Sequence, residues 1–394
     1  MRRAMAGMAF AAAIMMCCTG AASAASAASA AAGWTVQPVP LKVRSGETHG
    51  GLSAVTCATA RNCDAVGQDV NRSGTTAQAL VEHWDGSTWG ARAAPGPAGA
   101  VDSGLAGVSC VNGVTCTAVG SYVEKAGTSL TLAENWNGDA WMVQPTPSPG
   151  GANDSELLAV SCVSAASCTA VGDDGGGSGT PVTLAEHWNG SAWTTQPTPS
   201  PAGTKDSRLL AVSCPSAASC TAVGHSGTSL LAEHWNGSTW TIQPVPSPGG
   251  ANDSELLAVS CPSAASCTAS GSYTTASGAS APLAERWNGS TWTIKPTPLP
   301  PGADGGVLSG VWCVSAASCT AVGWSAGIGT SGASFALAEY WNGKTWTVQA
   351  TASPAGHKAL EAVACTAQRA CTAVGITPQA GAGAAMTHPL AEQE

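Results

Sequence analysis

A pair of cysteines separated by five residues recurs seven times along this chain, and its near-constant spacing constrains the fold more than any other feature. Successive first cysteines lie 53, 52, 52, 47, 52 and 52 residues apart. The pairs are Cys57/Cys63, Cys110/Cys116, Cys162/Cys168, Cys214/Cys220, Cys261/Cys267, Cys313/Cys319 and Cys365/Cys371. Repeats of this length build propellers, solenoids or arrays, because each repeat is one unit that stacks on its neighbours.

Each repeat predicts four short β-strands, which we label a to d in chain order. Strand a ends at the first cysteine (LLAVSC), strand b begins at the second (CTAVG), strand c reads LAEHW and strand d reads TWTIQP. Runs of about five residues between Gly, Asn and Pro are typical of strands. The turn between strands c and d, for example WNGSTW, contains Asn-Gly, which tolerates the positive φ angles of tight hairpins. The two flanking tryptophans are placed to pair across the hairpin.

The two chain ends indicate a closed ring. Six repeats have a complete Trp hairpin, whereas the seventh stops at PLAEQE before its hairpin. Near the N-terminus, GWTVQPVP aligns with a strand d through Trp34. The N-terminal strand would therefore complete the last blade, and closing the ring protects the sheet edges. We predict an all-β, seven-bladed β-propeller with four-stranded blades over residues 33–394.

The repeat resembles that of kelch-type propellers. The features that match are AVSC, CTAVG, the first Trp with its Asn-Gly turn, the second Trp and the exit QPVPSP. It is also similar to the cysteine-containing propeller repeats of secreted proteins from high-GC actinobacteria. One glycine replaces the kelch doublet, Trp stands where Tyr is usual, and the cysteine pair is additional. The resemblance implies the fold, but a fold does not fix a function.

Residues 1–32 predict an export signal. The segment begins MRR, continues with apolar residues to Cys18 and ends in Ala-Ser-Ala repeats, and it is too short for a membrane span. Cys17 and Cys18 leave lipidation open, although methionine precedes Cys17 where lipidation signals have a small residue. We expect a secreted protein with no later membrane span.

The cysteine pairs could form disulfides or bind zinc as thiolates. Each pair spans the hairpin between strands a and b, so its two sulfurs face each other, whereas a zinc site needs four converging ligands. Disulfides persist in oxidising compartments, and each would contribute about 2 kcal/mol in the chain-entropy model. We predict seven disulfides and no metal or cofactor.

Charge and motifs argue against several functions. The net charge is −9 with fifteen basic residues, and nucleic acids or anionic lipids need clustered Lys and Arg. Cysteines in disulfides cannot supply a copper site of the galactose-oxidase type, and His83, His187 and His234 recur at one repeat position. Arg208 and Arg286 are too few for the arginine cluster of a sialidase. We expect no catalysis; the alternative is a degenerate or unrecognised propeller enzyme that acts on carbohydrate at the loop face.

Two polar residue types recur at fixed repeat positions. The glutamates of the LAE motif are Glu82, Glu134, Glu186, Glu233, Glu285, Glu339 and Glu392. Blade symmetry holds them apart at one radius, so we interpret them as a repeated structural hydrogen bond. The next position carries His83, His187, His234, Asn135, Arg286 or Tyr340, a mixture typical of an exposed position and unsuited to a shared metal site.

Ligand-binding residues are expected where the symmetry is broken. The cysteine loops and Trp turns should share one face, and the b–c loops and blade connections the opposite face, where propellers commonly bind ligands. The b–c loops carry Tyr122, Asp173, Asp174, His225, Tyr273 and Trp324, which suit sugar stacking and hydrogen bonding. The connections carry Asp102, Asp154, Asp206, Asp253 and Asp304, which either bind a cation or polyhydroxylated ligand or cap turns.

We therefore expect a secreted monomer that acts as a binding module or scaffold, with a glycan, cell-wall polymer or protein as its partner. The Trp turns discriminate between two forms of this hypothesis. An exposed first Trp would favour one lectin site per blade, and two buried tryptophans would favour a scaffold.

Overall fold

The computed structural model is a seven-bladed β-propeller, as the repeats predict. It describes residues 33–39, 47–71, 75–149, 154–175, 180–201, 206–327, 334–352, 358–378 and 387–394. The predicted leader, residues 1–32 with Cys17 and Cys18, lies outside the described residues. Within those ranges, no helix has the length and hydropathy needed to cross a bilayer.

Each blade is a four-stranded antiparallel sheet in which strands a to d follow chain order. The N-terminal strand is β1 (Thr35–Gln37). Blade 1 comprises β2 (Glu47–Thr59), β3 (Asn62–Asn71), β4 (Ala77–Trp84) and β5 (Trp89–Arg92). Blade 2 comprises β6 (Ala100–Cys110), β7 (Cys116–Glu124), β8 (Ser129–Trp136) and β9 (Trp141–Gln144). Blade 3 comprises β10 (Ser155–Ser164), β11 (Ser167–Asp174), β12 (Val182–Trp188) and β13 (Trp193–Gln196). Blade 4 comprises β14 (Ser207–Ser216), β15 (Ser219–Ser226), β16 (Ser229–Trp235) and β17 (Trp240–Ile242).

The remaining blades repeat the same order. Blade 5 comprises β18 (Asp253–Ser263), β19 (Ser266–Thr274), β20 (Ser280–Trp287) and β21 (Trp292–Lys295). Blade 6 comprises β22 (Ala303–Ser315), β23 (Ser318–Gly327), β24 (Ser334–Trp341) and β25 (Trp346–Gln349). Blade 7 comprises β26 (Ala359–Ala367), β27 (Ala370–Pro378), β28 (Thr387–Gln393) and β1. Strand a of each blade contacts strand a of both neighbouring blades, so these strands form the innermost ring.

The ring closes through the N-terminal strand, which confirms that prediction. Strand β1 pairs antiparallel with β28, with Thr35 opposite Gln393 and Val36 opposite Glu392. The N–H of Trp34 donates to the carbonyl oxygen of Ala350 in blade 6 at 3.3 Å. The Trp34 side chain is 3% exposed and belongs to the hydrophobic cluster between blades 6 and 7. The N-terminal strand thus supplies both the missing sheet edge and the missing interface tryptophan.

The hydrophobic core lies between the blades. Each cluster of buried residues in the described ranges draws on two adjacent blades; in one of them Val119 and Ala133 of blade 2 pack with Leu157 and Trp193 of blade 3. The second Trp of every hairpin packs between blades, and none is more than 5% exposed. Tryptophan therefore provides the large apolar area at each interface, which a chain with two Phe and three Tyr could not otherwise supply.

A hydrogen bond between blades orients four of the seven interface tryptophans. Nε1 of Trp240 donates to Oε1 of Gln196 in strand d of the preceding blade at 2.9 Å. The equivalent pairs are Trp193 with Gln144, Trp292 with Gln243 and Trp34 with Gln349. Blade 5 carries Lys295 at the glutamine position, and Nε1 of Trp346 in the next blade has no hydrogen-bond partner among the described residues.

All seven predicted disulfides are present. Each disulfide spans its own hairpin, and it also contacts the neighbouring blade. The second cysteine of every pair is buried in the interface with the preceding blade. Exposure is at most 1% for Cys63, Cys116, Cys168, Cys220, Cys267 and Cys319, and 3% for Cys371. The physical reason is that this cysteine is the first or second residue of strand b, which directs its side chain at the neighbouring sheet, so the sulfur is part of the interface core.

A threonine of the preceding blade contacts the buried sulfur at six of the seven interfaces. Thr117 Oγ1 lies 3.6 Å from Cys168 Sγ, and because a disulfide sulfur carries no hydrogen, the hydroxyl is the donor. The equivalent contacts are Thr169 to Cys220 at 3.7 Å, Thr221 to Cys267 at 3.6 Å, Thr268 to Cys319 at 3.5 Å, Thr320 to Cys371 at 3.5 Å and Thr372 to Cys63 at 3.8 Å. Each disulfide therefore closes one hairpin and also contacts the neighbouring blade.

Loss of the closing tryptophan should destabilise the whole propeller. We expect Trp34→Ala to lower the free energy of unfolding by about 3–5 kcal/mol, the usual effect of removing a buried tryptophan. Val36→Ala on the same strand is the control, because Val36 is 40% exposed. Urea unfolding followed by Trp fluorescence measures both; equal stability of the two variants would contradict the proposed closure.

Restoring the missing acceptor at blade 5 should stabilise the fold. We expect Lys295→Gln to raise the free energy of unfolding by about 0.5–1.5 kcal/mol, because the buried indole N–H of Trp346 would gain a partner. Lys344→Gln, at an exposed turn position, controls for the loss of a positive charge. Thermal unfolding of the two variants side by side gives the difference, and an effect of the same size in both would refute the explanation.

Candidate functional site

The first tryptophan of each turn is fixed against its own hairpin. Each ring pairs with the second Trp, and the centroid separations are 5.7–5.9 Å. In three blades the indole N–H also donates at 3.2 Å to a carbonyl oxygen of the cysteine loop; these bonds run from Trp84 to Ala60, Trp188 to Ala165 and Trp235 to Ala217. The contacts confirm that cysteine loops and Trp turns share one face. Two of the six first tryptophans, Trp84 and Trp341, are buried and the other four half-buried, so this face does not favour one lectin site per blade.

The prediction of an exposed position after the LAE glutamate is wrong. Tyr340 is buried, and Nη2 of Arg286 donates to the carbonyl oxygen of Ala316 at 2.6 Å. Nδ2 of Asn135 donates to the carbonyl oxygen of Cys116 at 3.0 Å. The reason is that strand c places this side chain against the cysteine hairpins, where its polar atoms bond to the backbone.

Blade 1 replaces the threonine of CTAVG with Asp64, and a small ion-pair cluster results. Asp64 is 1% exposed, and its Oδ1 lies 2.8 Å from Nη1 of Arg92 and 3.0 Å from Nδ1 of His83. Its Oδ2 lies 3.8 Å from both sulfurs of the blade 2 disulfide. Sulfurs joined in a disulfide are not thiolates and cannot ligate a metal. The cluster is thus a charged version of the contact that threonine makes elsewhere.

The glutamates of the LAE motif are enclosed in the blade interfaces. All seven are at most 1% exposed. Oε1 of Glu134 accepts from the N–H of Gly96 in the preceding connection at 3.3 Å. For Glu233, Glu285 and Glu339, neither oxygen has a hydrogen-bond partner among the described residues. The expected repeated hydrogen bond is therefore wrong for these three blades.

Burial changes the protonation of these acids. Desolvation raises the pKa of Glu186, Glu233, Glu285 and Glu339 to about 8, and that of Glu134 to about 7. A buried carboxylate without a counter-charge is costly, so the neutral acid is the favoured form at neutral pH. Glu186, Glu233, Glu285 and Glu339 are thus mostly uncharged components of the interfaces at neutral pH.

The b–c loops and blade connections share the opposite face, as predicted. Oδ1 of Asp102, ahead of strand a in blade 2, accepts from the N–H of Ala77 at the start of strand c in blade 1 at 2.8 Å. The N–H of Ser254 donates to the carbonyl oxygen of Thr228 at 3.1 Å, so the same contact occurs between blades 4 and 5. We call the inner rim of this face, where strands a begin and strands b end, the channel mouth.

The assignment of the first candidate set to loops is wrong. Tyr122, Asp173, Asp174, His225, Tyr273 and Trp324 lie in the last residues of strand b, because pairing with strand c extends that far. Tyr122 and Tyr273 pack against the interface clusters of blades 1/2 and 4/5. Asp174 accepts from the hydroxyl of Ser155 at 3.1 Å. These three are therefore held by their own and neighbouring blades.

The second candidate set is distributed around the mouth. Asp102, Asp253 and Asp304 lie in the first residues of strand a, and Asp154 and Asp206 directly precede it. Asp102 caps a neighbouring strand, and Asp154, Asp253 and Asp304 are exposed. In the described part of the chain, only Asp64 with its disulfide neighbours brings three potential metal ligands together. The connection aspartates thus do not converge on a cation.

A glycine in strand b shapes the channel mouth. A Cβ on Gly172 would overlap the carbonyl oxygen of Glu156 in strand a. Strand a shifts register between Leu157 and Ala159, and the same close approach recurs at the CTAVG glycine of every blade. The single glycine therefore permits a bulge. The strand a residue whose carbonyl meets this glycine is directed at the end of strand b in the preceding blade at Gly51, Gly104 and Arg208.

At the interface of blades 3 and 4, this geometry assembles an ion-pair cluster. Nη1 of Arg208 lies 3.2 Å from Oε1 of Glu156 and 3.2 Å from Oδ1 of Asp173, and its Nε lies 3.4 Å from Asp206. Glu156 and Asp173 are opposite each other in the a–b ladder. Burial and the neighbouring Glu156 raise the pKa of Asp173 to about 8. Arg208 remains about one third exposed, at 31%.

At the next interface the charged groups are an acid and an imidazole. Oε1 of Glu255 accepts from the hydroxyl of Ser272 at 3.3 Å. Burial raises the pKa of Glu255, and the charge of His225 in blade 4 acts in the opposite direction. Nδ1 of His225 lies 3.2 Å from the carbonyl oxygen of Gly227. Both side chains are half-buried, so each retains a surface open to solvent.

The equivalent positions of blades 6 and 7 are apolar. Val307 replaces the charged residue of strand a, and Trp324 and Ile376 replace the polar residue of strand b. Trp324 is half-buried, and the residue after it borders an open cleft of about 410 Å³ that Pro301 and Phe335 also line. The channel mouth thus has a charged sector on blades 3 to 5 and an apolar sector on blades 6 and 7.

Sequence reasoning missed Glu156, Arg208 and Glu255 as partners of the candidate residues. A signal was present: they stand six residues before the first cysteine, where the other blades have Gly, Val or Ala. What could not be read from the repeat is that the bulge directs this position at the preceding blade.

Comparison with known proteins supports the fold. No protein-family model and no curated protein matches the sequence. Among solved structures, YCF48 bound to a D1 peptide shares 13% identity over 92% of this chain and 96% of that chain, with a TM-score of 0.53. A GH74 xyloglucanase from Xanthomonas campestris shares 14% over 87% of this chain and 53% of its own, with a TM-score of 0.54. An ulvan lyase bound to a GlcA–Rha3S glycan shares 7% over 84% of this chain and 91% of its own, with a TM-score of 0.51. The protein is a disulfide-linked β-propeller.

The buried glutamates should make stability depend on pH. The pKa of Glu285 rises from 4.5 to about 8 on folding, so between these values the unfolded chain binds fewer protons and stability falls as pH rises. Each such acid contributes up to about 1.4 kcal/mol per pKa unit. We expect the melting temperature to fall from pH 5 to pH 8 by several degrees and Glu285→Gln to reduce the slope. Glu124→Gln, at an exposed position, should leave the slope unchanged; a flat wild-type profile would contradict neutral buried acids.

Proposed function

We propose that this protein is an extracellular, non-catalytic binding module that holds a polyhydroxylated glycan at the channel mouth, across blades 3 to 6. One observation carries the proposal: at the channel mouth, ionisable side chains of strands a and b lie together between blades 3 and 4 and between blades 4 and 5, whereas the equivalent side chains of blades 6 and 7 are apolar. The seven disulfides support an oxidising compartment, and the predicted export leader agrees with it.

The chemistry of the two sectors suits a sugar. Carboxylates of Glu156 and Glu255 accept hydrogen bonds from hydroxyl groups, and the guanidinium of Arg208 donates them. The ring of Trp324 offers an apolar face against which the carbon-bound hydrogens of a pyranose can pack. Concave sites with an apolar wall and a few polar groups are typical of small-ligand binding. The xyloglucanase and the ulvan lyase have the same fold and, by their descriptions, act on glycans.

A catalytic function is the second candidate, and the pair of Glu156 and Asp173 favours it. The two carboxyl groups are adjacent, and the pKa of Asp173 is raised to about 8, so Asp173 is protonated at neutral pH. A protonated and an ionised carboxyl group side by side could act as a general acid and a general base. Asp173, however, is only 2% exposed and bonded to Arg208, so the pair first stabilises the blade interface. Asp173→Asn would abolish turnover of a glycan and spare its binding if this second function were correct.

The test is binding of the oxidised mature protein, residues 33–394, to an array of glycans and peptidoglycan fragments, with and without calcium. We expect saturable, calcium-independent binding that weakens about tenfold or more in Glu255→Gln and in Trp324→Ala, which corresponds to about 1.4 kcal/mol. Trp188→Ala is the matched control, because it removes a half-buried tryptophan from the opposite face.

Each outcome decides between functions. Binding that is lost in Trp188→Ala and kept in Trp324→Ala would place the site on the Trp turns and refute the proposal. Absence of binding to every glycan and peptidoglycan fragment on the array would favour a protein partner, as YCF48 has in its peptide complex. Measured turnover of a bound glycan would favour the enzyme.

A further inference from the structure

The turn between strands c and d contains a chemically reactive sequence. Five blades carry Asn-Gly there, and blade 1 carries Asp-Gly. The asparagines are Asn137, Asn189, Asn236, Asn288 and Asn342, and all are exposed. Glycine has no side chain to shield its backbone nitrogen, so that nitrogen can reach the side-chain amide carbon of the preceding asparagine.

In three of these turns, three donors converge on the side-chain oxygen of asparagine. Oδ1 of Asn189 accepts from the N–H of Ser191 at 3.0 Å, from its hydroxyl at 2.8 Å and from the N–H of Ala192 at 3.0 Å. The turns of Asn236 and Asn288 repeat the arrangement with Ser238/Thr239 and Ser290/Thr291. At Asn288 the hydroxyl of Thr291 also donates to Oδ1, at the longer distance of 3.5 Å. Attack on Cγ moves negative charge onto Oδ1, and donors already aimed at that atom stabilise it as an oxyanion hole does.

The other two turns offer an internal comparison. Oδ1 of Asn137 accepts from the N–H groups of Asp139 and Ala140 at 2.9 and 3.0 Å. Oδ1 of Asn342 accepts from the N–H groups of Lys344 and Thr345 at 2.9 and 3.0 Å. The serine hydroxyl is missing from both turns because the chain carries Asp or Lys at its position.

Blade 1 shows that the turn accommodates the product of such a reaction. Oδ1 of Asp85 accepts from the N–H of Ser87 at 2.8 Å, its hydroxyl at 2.7 Å and the N–H of Thr88 at 2.9 Å. The hydroxyl of Ser87 and the two N–H groups lower the pKa of Asp85 to about 2. The turn therefore holds a carboxylate in the geometry it gives to asparagine, and it favours the charged form.

We propose that Asn189, Asn236 and Asn288 are deamidation sites at which the turn promotes conversion to aspartate. The nitrogen of the following glycine attacks Cγ, the Cγ–Nδ2 bond breaks, and ammonia leaves. Water then adds to Cγ of the cyclic imide and the bond from Cγ to the glycine nitrogen breaks, which leaves aspartate. The net reaction consumes one water and releases one ammonia per site. Aspartate keeps all three hydrogen bonds, whereas isoaspartate adds a carbon to the main chain and lengthens the turn.

The test follows all five asparagines in one molecule. The oxidised mature protein is incubated at mildly alkaline pH, and peptide mapping by mass spectrometry measures asparagine loss and the aspartate-to-isoaspartate ratio. The reduced, denatured chain gives the rates that the local sequences alone produce. We compare the rate at the three-donor turns with the rate at the two-donor turns, and we expect this ratio to be about tenfold higher in the folded protein than in the denatured chain. The expected effect is smaller than the roughly 10²–10³-fold effect of one oxyanion-hole donor in an enzyme, because these turns are exposed to water.

A hydroxyl deletion isolates the donor. Ser191→Ala should slow loss of Asn189 in the folded protein and leave Asn236 and Asn288 of the same molecule unchanged, and Ser191→Thr should restore the rate. Thermal unfolding verifies that both variants fold. Equal rate ratios in folded and denatured chains, no conversion in the folded protein, or isoaspartate as the main product would each overturn the proposal.

Discussion

The interface between neighbouring blades is the constraint on which the rest of the propeller depends. Each interface must bury one tryptophan and bring one polar side chain of strand b to the next disulfide, as Trp240, Thr169 and Cys220 do between blades 3 and 4. Because the ring closes, both requirements must be met at all seven interfaces. A substitution that disrupts one interface destabilises the blades on both sides of it. The repeat is therefore most regular in the residues that form these contacts.

This regularity explains where the chain is free to vary. Most residues that point into an interface at mid-height are leucine, alanine, valine or glutamic acid, and Ser270 replaces the valine in blade 5. The ends of strands a and b, in contrast, meet only one neighbouring strand end. At those ends the chain places Arg208, Glu255 and Trp324. The symmetry of the fold and the asymmetry of its channel mouth thus have one origin, which is the different packing demand at the two places.

Most of the architecture could be predicted from the sequence, because the regular spacing of the repeats corresponds directly to the blades. The cysteine spacing predicted the blades and disulfides, and Trp34 predicted the ring closure; all three are confirmed. The site was only partly readable. Asp173 and His225 were found as breaks in the repeat, but their partners Glu156 and Glu255 depend on a bulge that no sequence pattern shows. Burial was misjudged at Tyr340, because the sequence does not reveal which neighbour covers that position. The hydrogen bonds expected for Glu233, Glu285 and Glu339 were wrong for the same reason.

The proposed function requires that the ionisable and apolar side chains at the channel mouth bind a ligand. Hydrogen exchange of the mature protein with and without soluble peptidoglycan fragments tests it most directly, because every blade reports separately. The account predicts that protection increases in the peptides that contain Arg208, His225, Glu255 and Trp324 and is unchanged in the Trp turns. Protection of the Trp turns, or equal protection of all seven blades, would contradict it.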